Sequence, residues 1–307
     1  MKWNDTLPVS LHRLQRPSWL PESTWPFDTS ALEVDDSVIA VSEAGQGPVL
    51  LFVHVGAWSF IWRDLVMRLA PGFRCVFFDA PGTGQSHDGA AGTLTLHQAS
   101  RATTAVIDAL DLKELTLVIH DLGGPAALAA VATMPERVRG IVAMNSFGWK
   151  PSSLSLRSML AIVGSPIMRE FDVLTGLVPR ITSSSFGIGR HLDWRSRATF
   201  RAGMGPRSLR SFHNYMRDAL HCDDVYARVT AALAGALATL PLLTIFGERN
   251  DPFGFQKRWK ELFPAARQIV VPKGNHFPMC DAPDLVAHAI RSWNQELRTT
   301  TRIHASQ

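Results

Sequence analysis

Leu115-Thr116-Leu117-Val118-Ile119-His120-Asp121-Leu122-Gly123-Gly124-Pro125 decides the fold. An apolar, β-branched run stops at Asp121, and an Ala-rich helical pattern runs from Ala126 to Met134. Strand, sharp turn and helix therefore follow one another, with one reactive side chain at the bend. Small residues after the bend let strand and helix approach closely. The bland alternative is an Asp121 that only caps the next helix.

Working outward, apolar strand patterns alternate with helical ones. Val49–His54, Cys75–Phe78 and Leu115–His120 read as buried strands, separated by helical patterns at Phe60–Leu69 and Leu96–Leu110. Val138–Asn145, Leu240–Phe246 and Gln268–Val271 continue the series. Continuous apolar runs joined by helices imply a mostly parallel central sheet flanked by helices. Residues 32–145 and 240–295 make this α/β core, with a hairpin at Leu32–Val41. Residues 146–239 hold no convincing strand, only helical patterns such as Leu156–Val163 and Ser208–Leu220, and read as an inserted helical cap. Residues 1–31, rich in Pro and Trp, read as an extended arm anchored by its tryptophans. Residues 296–307 read as a frayed tail.

The chain has 307 residues, 46% of them hydrophobic, enough for one large domain with an insertion. No run is long and apolar enough to span a membrane. The absence of an apolar signal segment, with only Cys75, Cys222 and Cys280, favours a reduced cytoplasmic protein without disulfides. No cysteine or histidine spacing suggests a metal, and no motif suggests a cofactor. Lys150–Arg228 carries 12 Lys/Arg against 6 Asp/Glu, a net +6, while the remainder is net −2. Its arginines are dispersed without an aromatic-basic stripe, so nucleic acid is not expected as partner, and with no spanning run neither is a membrane. A solvated or paired insertion that draws in anions fits better. The sequence leaves the oligomeric state open.

Asp121, Asp251 and His276 each fall just past a strand, at the sheet edge where open parallel sheets bind ligands. Their order is nucleophile, acid, histidine. An aspartate is ionised at neutral pH and can attack a saturated carbon without a base. His276 then activates water against the resulting ester, and Asp251 orients the ring. Glu248 is the rival acid. The Leu122 N–H and the turn Val55 to Trp58, with Val55 and Gly56 at its start, would supply oxyanion donors.

These motifs resemble the Asp-nucleophile branch of the α/β-hydrolases, the haloalkane dehalogenases and epoxide hydrolases. The residues carrying the resemblance are Val118–Pro125, the Asp79–Ser86 turn, Phe246–Asp251 and Gly274-Asn275-His276-Phe277. The resemblance implies an α/β-hydrolase fold and a small apolar halogenated or epoxide substrate, with a halide ion as possible product. Dehalogenases usually carry Trp directly after the nucleophile and Asn after the first sheet motif's His-Gly, as halide donors. Here those places hold Leu122 and His54-Val55-Gly56-Ala57-Trp58. Trp58 is the nearest substitute donor, its alternative being a core aromatic; Trp149 and Asn145 are weaker candidates. An epoxide needs an acid on the ring oxygen, and Tyr215 is the candidate. Nine tryptophans against two tyrosines lean towards the halide, because indole donates and cannot accept. A non-catalytic ligand binder on the same fold is the reading from another class.

Overall fold

The structure is a computed structural model that describes residues 11–89 and 94–305, the side chains of 300–305 excepted. Nine strands form one sheet: β1 (Leu11–Arg13), β2 (Asp28–Val34), β3 (Ser37–Ala44), β4 (Val49–Val53), β5 (Arg74–Phe78), β6 (Leu115–His120), β7 (Val138–Met144), β8 (Leu242–Gly247) and β9 (Arg267–Val271). Their spatial order is β1-β2-β3-β5-β4-β6-β7-β8-β9. The first three strands and the β3–β5 pair are antiparallel. All other pairs are parallel.

Helices α1 (Arg63–Leu69), α2 (Leu96–Ala109) and α3 (Gly123–Val131) connect the early strands. Six more lie between β7 and β8: α4 (Leu154–Val163), α5 (Pro166–Thr175), α6 (Leu177–Thr182), α7 (Trp194–Gly203), α8 (Pro206–Asp218) and α9 (Asp223–Ala234). Then come α10 (Phe255–Leu262), α11 (Pro278–Asp281) and α12 (Pro283–Ala305). This is the α/β-hydrolase fold.

Alternation along β6 explains why the sheet is covered on both faces. Leu115, Leu117 and Ile119 point into one apolar cluster, against residues of α2 and α3. Val118 points into the other, with Phe52, Val66 and Ile290. A period of two sends successive side chains to opposite faces, so an unbroken apolar run needs helices on both.

Two boundaries differ from the sequence reading. The arm is not merely laid over the body: β1 and the start of β2 extend the sheet at its edge, while residues 1–10 lie outside the described residues. Its tryptophans do anchor it; Trp25 is fully buried and its ring centroid lies 5.3 Å from that of Trp58. The tail does not fray at 296, because α12 continues to Ala305. There Glu296 pairs with Arg267 at 2.7 Å, and Leu297 packs on the core.

The order of strands creates the site. The chain lays β5 on one side of β4, then crosses to place β6 on the other. Loops leaving β4 and β6 therefore diverge and open a crevice at their C-terminal ends. His54 leaves β4 and Asp121 leaves β6 at that point.

Candidate active site

Asp121 has φ 49°, the left-handed region that costs a non-glycine residue about 1–2 kcal/mol. The surrounding packing imposes this conformation. A Cβ on Gly123 would lie 2.8 Å from both His54 Cα and Val53 O, and one on Gly124 would lie 2.3 Å from Ser146 Oγ. Only glycines let α3 start this close to β4 and to the loop after β7. Ser146 Oγ donates to Asp121 O at 2.8 Å, fixing the bend from behind.

Asp121 faces His276, with Oδ2 3.5 Å from Nε2, and both side chains are partly exposed. Burial alone would raise the Asp121 carboxyl. The charge and hydrogen bond of His276, helped by His120 and the Leu122 N–H, outweigh it and hold the group below the ordinary carboxylate range. Asp121 is therefore ionised and ready at neutral pH.

The third member differs from the sequence expectation. Asp251 does not meet His276. Its two carboxylate oxygens accept from Phe255 N at 2.7 Å and Gln256 N at 3.0 Å, closing the start of α10. The residue before it takes the histidine instead: Asn250 Oδ1 lies 2.9 Å from His276 Nδ1. Asn145, at the end of β7, stands behind. Its Oδ1 accepts from Gly247 N at 2.9 Å, which turns its Nδ2 towards Asn250 Oδ1 at 3.2 Å. With Oδ1 of Asn250 so assigned as an acceptor, His276 Nδ1 donates to it, and Nε2 is the ring nitrogen turned towards Asp121. Glu248 is not a substitute acid, because it accepts from Lys273 N at 2.7 Å.

Two histidines that the sequence reading left without a role tie the site together. Ala57 N–H donates to His54 Nε2 at 3.0 Å, so the proton of His54 is on Nδ1. That nitrogen lies 3.0 Å from His120 Nδ1, which must accept. His120 therefore donates from Nε2 to His276 O at 2.8 Å. Every bond in the chain is satisfied with both rings neutral. Burial, and then the charge of His276, pushes His54 down to about 3 and His120 well below the ordinary histidine value. These bonds run from the turn after β4 to the backbone of the loop that carries His276. That loop is held again by Asp281, whose Oδ2 accepts from Asn275 N at 2.5 Å. On the other side, buried Asp79 accepts from Ser59 N and Gln85 N, both at 2.8 Å. Burial pushes its carboxyl up to about 6.

A cavity of about 300 Å³ opens over Asp121 and His276. His54, Val55, Gly56 and Ala57 line its floor with Leu122, and Leu156, Met159, Leu160 and Val163 of α4 line its roof. The lining is mostly apolar. Val55, Gly56 and Leu122 are thus brought to the cavity beside Asp121. Trp58 and Tyr215 do not line it. Trp58 is fully buried, packs on Trp19, Trp25 and Phe60, and donates its indole N–H to Phe200 O at 3.0 Å. Tyr215 is also fully buried and donates its hydroxyl to Leu122 O at 2.7 Å. Both are structural because a polar edge in the core must find an acceptor, and the nearest one was backbone. Trp149 packs between Trp259 and the Arg258 guanidinium, away from the cavity.

His54, Asp79, His120, Asn145 and Asn250 all lay in stretches or positions already quoted, but none of them was given the role it has here. Nothing in Glu248-Arg249-Asn250-Asp251 reveals which side chain turns inward.

Comparison with known proteins places this geometry. Residues 48–169 match the α/β hydrolase fold family model. A haloalkane dehalogenase of Mesorhizobium japonicum is 35% identical over 299 residues, covering 90% of this chain and 94% of the relative. Haloalkane dehalogenase 2 of Mycobacterium tuberculosis is 27% identical over 278 residues, covering 87% and 94%. The crystal structure of a putative ancestral haloalkane dehalogenase, AncHLD2, superposes with a TM-score of 0.74 at 26% identity, over 88% of this chain and 99% of that one. A fold, a sheet-edge site and relatives that span nearly the whole chain agree, and the chain belongs to the haloalkane dehalogenase family of α/β-hydrolases.

Proposed function

We propose that this hydrolase acts through a covalent ester on Asp121 and that its substrate is a small haloalkane. The observation that carries the reading is an ionised carboxylate on a strained bend, 3.5 Å from an imidazole nitrogen and facing an apolar cavity. An Asp121 oxygen attacks the carbon that bears the halogen; the C–O bond forms as the carbon–halogen bond breaks, and halide leaves with the electron pair. His276 Nε2 then takes a proton from water, which adds to the ester carbonyl. Collapse of the tetrahedral species restores Asp121 and frees the alcohol, and the proton leaves from His276. Leu122 N–H and the turn at Val55 and Gly56 are the donors offered to the oxyanion. The inserted helices act as a cap that excludes water from the first step.

No indole lines the cavity, so the departing halide is left to backbone N–H groups of the same floor. The epoxide alternative is weaker on a specific observation. Its ring oxygen needs a hydroxyl acid, yet Tyr215 donates to Leu122 O and Tyr226 donates to Ala219 O.

His276→Gln tests the reading. With 1-bromobutane, intact-mass spectrometry should show a butyl adduct that maps to Asp121, with one bromide released per chain. An unmodified chain with bromoalkanes and epoxides alike would remove covalent catalysis from consideration.

A further inference from the structure

The inserted helices expose apolar side chains on a scale that one soluble surface rarely carries. On α5, Ile167, Phe171 and Leu174 recur at helical spacing; Ile167 is 85% exposed and Leu174 86%. On α4, Leu154 is 79% exposed and Ile162 64%. Phe186, just past α6, is 81% exposed. The cause is local. Helices α4 and α5 pack on α8 through their inner faces, and the other face of each is left outward. Asp172 of α5 fixes that orientation, because it is buried against His213 of α8 at 2.9 Å.

Cations accompany this face. Arg157 on α4 and Arg180 on α6 are exposed and make no ion pair among the described residues. Glu170, the exposed acid of the same helices, is already held by Arg169 and Arg210. Lys150–Arg228 as a whole is net +6 in a chain of net +4. Nearby, Trp194 is 72% exposed with the Arg195 guanidinium 5.3 Å from its ring, a pair suited to a water–lipid boundary. The patch also meets the cavity: Met159 is exposed and lines the roof over Asp121.

We propose that α4–α6 form a docking face for an anionic lipid surface, on which the protein lies with its cavity roof against the bilayer. Apolar side chains enter the headgroup boundary while arginines meet lipid phosphates, the division of labour of an interfacial amphipathic helix. A second copy of this net-positive face would repel the first, whereas an anionic lipid surface attracts it. No helix among the described residues is long and apolar enough to cross a membrane, so the association is peripheral. The sequence expectation of no membrane partner came from the missing span, which says nothing about a surface.

The test reads binding, not turnover, and so stands apart from the aspartyl-ester reading. The full chain is pelleted with sucrose-loaded vesicles of phosphatidylcholine alone or mixed equally with phosphatidylglycerol. Pelleting with the anionic vesicles should weaken at high salt and fall about tenfold in Ile167→Ser/Leu174→Ser and in Arg157→Glu/Arg180→Glu. These side chains are exposed, so unchanged melting curves would confirm that the variants fold. Failure of the unsubstituted chain to pellet with anionic vesicles overturns the proposal. If it instead sediments as a dimer that Ile167→Ser/Leu174→Ser splits, the occupant is a second copy.

Discussion

Exchanging Asn250 for Asp separates the two neighbours in the acid loop. Asn250 Oδ1 orients His276 at 2.9 Å but carries no net charge to stabilise an imidazolium. In Asn250→Asp, a full charge stands about 4 Å from the ring centre, worth about 4 kcal/mol at an effective dielectric of about 20. The His276 side chain is 32% exposed, so water screens part of this. A net gain of about 1–2 kcal/mol is expected, which is about 5–30-fold in the step that charges the ring. That step is ester hydrolysis. Alkylation of Asp121 needs no base and should keep its rate. Asp251→Asn should leave hydrolysis unchanged and cost about 1 kcal/mol of stability, because one of the two oxygens that accept from Phe255 N and Gln256 N is lost. Rapid-quench intact-mass spectrometry follows rise and decay of the Asp121 adduct and reads the two steps separately. The reasoning fails if Asp251→Asn slows adduct decay as His276→Gln does while Asn250→Asp changes nothing.

Other perturbations test the frame around the site. Asp172→Asn should cost about 3–5 kcal/mol, because His213 is left fully buried without its carboxylate; denaturant melts of this variant and of His213→Leu measure it. A double substitution that replaces both groups by apolar ones should recover much of the loss. Asp79 has its carboxyl raised from 3.8 to about 6, so the folded state holds that proton more tightly than the unfolded chain. Its contribution is present below pH 4 and lost as pH rises through about 6, a change of about 3 kcal/mol. Asp79→Asn should remove this component from a stability profile between pH 4 and 7. An unaltered profile would place the charge of Asp79 in a better-solvated setting than its burial implies.

What could be read from the chain alone was whatever depends on local pattern. β6 announces itself by an apolar, β-branched run, and the bend by one reactive residue ahead of two glycines. Strand–helix alternation gave the parallel core, and its interruption gave the helical insertion. Asp121 and His276 follow from the same logic, because a side chain just past a strand sits at the sheet edge whatever its neighbours do. Tertiary structure decided everything that turns on direction. Asn250 and Asp251 are adjacent in sequence, yet one turns to His276 and the other to α10, since the loop's path assigns each carbonyl-bearing side chain to the nearest unsatisfied donor. Trp58 and Tyr215 went to the core because their polar edges found backbone acceptors there. His54 and His120 became one hydrogen-bonded chain only when β4 and β6 were laid side by side. Periodicity records which face of an element is buried; it holds no information on which partner, many residues away, that face will meet.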